Sequence, residues 1–79
     1  MGRLETQCRR ILALLVERGN QGATNYELAR IALKYTSRIS DLRDGGYRIL
    51  CTCEDALRGV YRYHLLNQVP QPQRRLFDR

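Results

Sequence analysis

The chain of 79 residues has no Trp, and Lys, His, Met and Phe each occur once. Without Trp, and with a single Phe, the aromatic part of any interior falls to five tyrosines. No apolar run approaches the roughly 20 residues that a membrane span needs, and Met1 to Glu5 lack the long apolar stretch of a signal peptide. The expectation is therefore a soluble, cytoplasmic protein with no membrane partner. A chain this short buries only about 60% of the surface its unfolded state exposes, which excludes a deep cleft framed by two lobes. Three cysteines, Cys8, Cys51 and Cys53, are an odd number without framework spacing, as suits free thiols in a reducing compartment. Cys51 and Cys53 with His64, and Cys8 as a fourth ligand, would be a thin metal set. Zinc pairs are normally spaced C-x2-4-C, and strand positions i and i+2 suit two small core residues as well. No metal and no other cofactor is expected. Paired carboxylates, a nucleophile with its base, a phosphate loop and H-E-x-x-H are all missing, so no enzyme and no small-molecule substrate are expected.

What the chain does have is positive charge. Fourteen Lys plus Arg stand against eight Asp plus Glu, a net charge of +6 with a pI near 9.8, and all the cations but Lys34 are Arg. Arginine presents a planar fork that matches phosphate and guanine edges, which points to a polyanion partner. The charge is dispersed. Residues 1–18 and 67–79 contribute +2 each, 34–46 and 47–66 +1 each, and 19–33 nothing. A binding surface must be assembled by folding.

Leu4, Cys8, Ile11, Leu12 and Leu15 recur at helical spacing and predict an amphipathic helix over 4–18, stopped by Gly19. Leu14 and Val16 widen its apolar stripe, which suits either the core or a homodimer interface. Thr24-Asn25-Tyr26-Glu27 is a capping box that opens a second, short helix. Tyr35-Thr36-Ser37 start a third, running from Lys34 or Thr36 to Asp44 with Ile39 and Leu42 inward and Gly45-Gly46 as its stop. Short helix, tight turn, short helix is the layout of a helix-turn-helix unit. The period then changes to two. Tyr47, Ile49, Cys51 and Cys53 predict one strand, Tyr61, Tyr63 and Leu65 another, with the charged stretch Glu54–Gly59 as the loop between them. Asn67 to Arg79, with Pro70 and Pro72, reads as a flexible tail. The expected class is α+β, a winged helix-turn-helix of three helices and a two-stranded hairpin wing, with residues 1–66 as the domain and 67–79 as the tail.

The residues Thr24-Asn25-x-Glu27-Leu28-x-x-Ile31, Tyr35-x-x-Arg38-Ile39-x-x-Leu42-Arg43-x-x-Gly46-Tyr47-x-Ile49 and Tyr63-x-Leu65 resemble a helix-turn-helix family common in bacteriophage and prophage genomes. That resemblance implies a small DNA-binding fold, with a regulatory role in transcription or on a mobile element, whose third helix enters the major groove of double-stranded DNA. It implies no catalytic activity.

With Ile39 and Leu42 inward, a rotation of about 100° per residue leaves Ser37 and Ser40 outward and Thr36 and Arg43 on the flank. These hydroxyls are either weak base readers or ordinary caps and surface. Arg38 has two equal readings: contact with guanine or phosphate, or an internal ion pair with Asp41 or, across the turn, Glu27. Arg43 is a phosphate contact blunted by Asp41 and Asp44. Arg30 and Lys34 beside the turn are expected on the DNA backbone, as are Thr24 and Asn25 at the start of the second helix, although Thr24 is already explained as a cap. Arg58 and Arg62 are expected to contact phosphate or the minor groove from the wing, in the face of Glu54 and Asp55. Tyr35, Tyr47 and Tyr63 are expected in the core. Z-form recognition fits poorly, since Thr36 and Ser40 stand at the helix positions where it typically uses Asn and Tyr, and Trp is absent. The alternative is a protein–protein adaptor or inhibitor, favoured if Arg38, Arg43 and Arg58 are all tied up by neighbouring acids.

Overall fold

The structure is a computed structural model that describes residues 3–67. Its elements in chain order are α1 (Arg3–Arg18), a 3-10 turn (Gly19–Gln21), β1 (Ala23–Thr24), α2 (Asn25–Ile31), α3 (Tyr35–Asp44), β2 (Ile49–Asp55) and β3 (Val60–Leu65). Three helices pack on one antiparallel sheet whose strand order is β1-β3-β2, so the last strand lies at the centre. The α+β class holds, but the sheet has three strands where two were expected. The extra one is the short β1, with Ala23 opposite Tyr63 and Thr24 opposite Arg62. Thr24 belongs to both elements. Its extended backbone (φ −80°, ψ 162°) pairs with β3, while its side chain accepts from the Glu27 amide and starts α2.

Each helix turns the predicted stripe inward as far as its side chains are described, Leu4 lying outside them. Ile11 and Leu15 come from α1, Leu28 and Ala32 from α2 and its end, and Ile39 and Leu42 from α3. These meet Ala23, Ile49 and Tyr63 in one core. Tyr35 and Tyr47 pack half-buried against it, and the Tyr35 ring meets Tyr63 edge-on with centroids 6.0 Å apart. Such a pair adds about 1 kcal/mol beyond its buried area. Leu14 also packs against this core, leaving Val16 as the exposed remainder of the wide α1 stripe.

The strands depart from expectation in two ways. β2 begins at Ile49 rather than Tyr47 and continues through Glu54 and Asp55, with an irregularity in its register between Cys53 and Asp55. Only Ala56–Gly59 turn the chain. Cys51 and Cys53 share the face of Tyr63 and Tyr61 yet are exposed instead of core, because the helices pack chiefly against β3 and leave β2 as an edge. Asn67, expected in the tail, is held. Its Oδ1 accepts from the Arg48 amide at 2.7 Å and its Nδ2 donates to the Gly46 carbonyl at 3.2 Å. The tail from residue 68 onward lies outside the described residues, and among these no helix is long and apolar enough to cross a membrane.

Gly22 joins the 3-10 turn to β1 at φ 68° and ψ −167°, a region open essentially to glycine alone. A Cβ at this position would overlap the Tyr63 carbonyl and lie 2.8 Å from Nδ1 of His64. Gly59 has a similar φ of +69° but open space around it. Gly22→Ala is therefore expected to destabilise the fold by about 3 kcal/mol or more, and Gly59→Ala by about 1 kcal/mol, as measured by urea denaturation.

Candidate nucleic-acid interface

Three features were expected to form one binding surface: the start of α2, the outer side of α3 and the β2–β3 turn. The structure ties the β2–β3 turn to the start of α2, and it spends many of the polar groups of all three features on internal contacts. At the start of α2 the capping box is complete. Glu27 Oε1 accepts from the Thr24 amide at 2.9 Å, and the Glu27 amide donates to Thr24 Oγ1 at 3.2 Å. Thr24 is a cap first. Asn25 is a clamp, with its Nδ2 donating to the Gly59 carbonyl at 3.0 Å and its Oδ1 accepting from the Tyr61 amide at 2.9 Å. Tyr26 adds a third tie, its hydroxyl donating to the Arg58 carbonyl at 2.8 Å. The hairpin turn is thereby fixed to α2. Nothing in the local pattern signals this clamp, since its partners lie 32 to 36 residues apart and meet only in the folded chain.

On α3, Thr36, Ser37 and Ser40 are exposed side by side, as predicted, while Ile39 and Leu42 point inward. No side chain caps the amino end of this helix. Arg38 resolves toward the internal reading. It is only 9% exposed, and its Nε donates to Asp41 Oδ2 at 2.9 Å. Its partner is not Glu27, which is taken by Arg18 from α1. Arg43 is exposed, but its guanidinium donates to the Ile49 carbonyl at 2.7 and 3.2 Å, bracing α3 against β2.

In the hairpin, Arg62 donates to Glu54 at 3.0 Å and to the Gln21 carbonyl at 2.9 Å. It fastens the central strand to its neighbours and is not presented to a ligand. Arg58 is 83% exposed, with a loose 3.7 Å pairing to Asp55. Such an exposed pair is worth under about 1 kcal/mol, so a phosphate can displace it. By contrast Arg30 and Lys34, at the end of α2 and just before α3, are exposed and, like Arg10 and Arg48, form no ion pair among the described residues. Arg30, Lys34 and Arg38 also line an open cavity of about 460 Å³, to which α1 contributes Gln7. No group of three or more metal-ligating side chains occurs among the described residues, and Cys8 lies apart, its thiol donating to the Arg38 carbonyl. Comparison with known proteins yields no match to a family model, a curated protein or a solved structure.

The Arg18 guanidinium, together with the Thr24 amide, holds the Glu27 carboxyl at about 2 against an ordinary 4.5. A carboxyl that is more acidic folded than unfolded stabilises the fold above its unfolded value and loses that contribution as pH falls toward the folded one. Stability is thus expected to drop between about pH 5 and pH 2, in part through Glu27. Glu27→Gln should cost about 2 kcal/mol at neutral pH and flatten this acid limb in denaturation series. An unchanged limb would show that the pair contributes nothing.

Proposed function

We propose that the chain is a small DNA-binding protein of the winged helix-turn-helix type that docks α3 in the major groove of duplex DNA. The observation that carries this reading is the amino half of α3. It offers Thr36, Ser37 and Ser40 exposed, with Arg30 and Lys34, cations that form no ion pair among the described residues, where the chain enters the helix. The antiparallel order β1-β3-β2 beside α2, a three-residue turn and α3 supports the fold reading, with the β2–β3 hairpin as the wing. Asn25 and Tyr26 hold the hairpin turn to α2, which supports assigning Arg58 at that turn and Lys34 before α3 to backbone contacts in this reading. Short hydroxyls read bases weakly, so phosphate contacts supply most of the affinity. A regulatory role on a phage or mobile element rests on the family resemblance.

A second reading, a protein–protein adaptor or inhibitor, is favoured by one observation. Arg58 and Arg62 are paired with Asp55 and Glu54, and Leu57 at the hairpin tip is 99% exposed. A wing that is nearly neutral and tipped by leucine suits a protein surface.

Fluorescence anisotropy with a random duplex across a salt series separates the two. With about three phosphate contacts, the slope of log K against log salt is expected near −3, and Arg30→Ala and Lys34→Ala should each reduce it by about 0.9. Arg62→Ala should leave the slope unchanged. No binding by micromolar protein at about 50 mM salt would overturn the DNA reading.

A further inference from the structure

Arg38 is not explained by duplex recognition. It is nine-tenths buried, yet only its Nε has a partner, Asp41, among the described residues. Among the described residues no buried side-chain nitrogen or oxygen is left without a partner, so the terminal nitrogens of Arg38, beyond its Nε–Asp41 contact, open to solvent. The terminal nitrogens remain as a fork with two parallel N–H directions. Arg38 lines the cavity of about 460 Å³ between α1 and the α2–α3 turn. We propose that this cavity is a phosphate-binding site, shaped for a phosphate that carries an apolar or aromatic body, as a nucleotide does.

Three properties of its wall define that chemistry. Arg30 and Lys34 line the cavity together with Arg38, and no carboxylate is among the described residues that line it. Three cations around one opening suit a phosphate better than a carboxylate of single charge, and the Arg38 fork matches two phosphate oxygens. Ile31 and Leu33 supply apolar wall, and Leu33 is 91% exposed at the lip. The volume falls within the roughly 300–1,000 Å³ usual for small-ligand sites and exceeds what a bare ion fills. Gln7 adds an amide able to donate and accept at the same opening.

The site shares Arg30 and Lys34 with the duplex reading but does not rest on it, because Arg38, whose Nε is held by Asp41, lines the cavity and is not among the duplex contacts of that reading. Its phosphate comes either from a free nucleotide or from a nucleic-acid strand. The test is a 15N NMR titration of the full 79-residue chain with inorganic phosphate, adenosine 5′-monophosphate and a short 5′-phosphorylated oligonucleotide. Adenosine and chloride at matched ionic strength are the controls. Saturable shifts at Arg30 to Arg38 with a phosphate-bearing probe, and none with adenosine or chloride, are expected. Arg38→Lys, which keeps the charge and loses the fork, should weaken binding about tenfold, and so should Lys34→Ala at its exposed site. Response to the monophosphate identifies a free nucleotide as sufficient, whereas response to the oligonucleotide alone identifies a strand as the source. Shifts that do not saturate, or that are the same in both variants, overturn the proposal. Ser37→Ala/Ser40→Ala keeps the two failures apart, since it weakens duplex binding and leaves the monophosphate titration unchanged.

Discussion

The Glu27 carboxylate is the point at which the separate segments of this chain are made into one body. It accepts from the Arg18 guanidinium at the end of α1 and from the Thr24 amide and hydroxyl, which end β1 and cap α2. Arg18 also donates to the Gly22 carbonyl at 3.4 Å, so the turn between α1 and β1 hangs from the same pair. Three short helices offer little area to one another, and a small core leaves the angles between them loosely determined. A charge-assisted contact that is satisfied from both sides fixes an angle better than added apolar area does. With α2 set against α1, Asn25 and Tyr26 set the hairpin against α2, and the outer face of α3 acquires a defined neighbour.

That same economy decides which charges remain for a ligand. An arginine that braces the fold is a poor phosphate contact, since moving it leaves a carbonyl or carboxylate without its partner. Arg18, Arg43 and Arg62 are of this kind. Arg30 and Lys34 are not, and they gather at one place, the turn before α3. The net charge of +6 therefore overstates the available field, and its distribution counts for more than its sum.

Periodicity made the three helices legible from residue types alone, because Ile11, Leu15, Leu28, Ile39 and Leu42 repeat at the spacing of a buried stripe. The Thr24–Glu27 box, the Gly19 stop and the outward hydroxyls of α3 were likewise readable, being local. β1 was not readable. Two residues carry no period, and Ala23-Thr24 pair only because Gly22 adopts a conformation that brings them to β3. Alternation in β2 placed Cys51 and Cys53 on the face of Tyr63, but burial depends on what lies above that face, and the helices end short of it. Glu54 and Asp55 suggested a loop by composition, yet they extend an edge strand that has solvent on its open side. For the candidate site, Arg38 could be narrowed to two readings and no further, since the choice lay in which acid folding brought near. Asn25 was expected on the DNA backbone, but its side-chain amide is spent on partners more than 30 residues away.

Recognition of duplex DNA by the outer face of α3 is tested most directly by mapping where a duplex touches the protein. Backbone 15N shifts of the full chain should move on adding a random duplex in low salt, most strongly from Arg30 to Ser40, with a smaller response at Arg58 in the hairpin turn. Shifts confined to the β2 edge and the surroundings of Leu57, or no shifts at all, would contradict it.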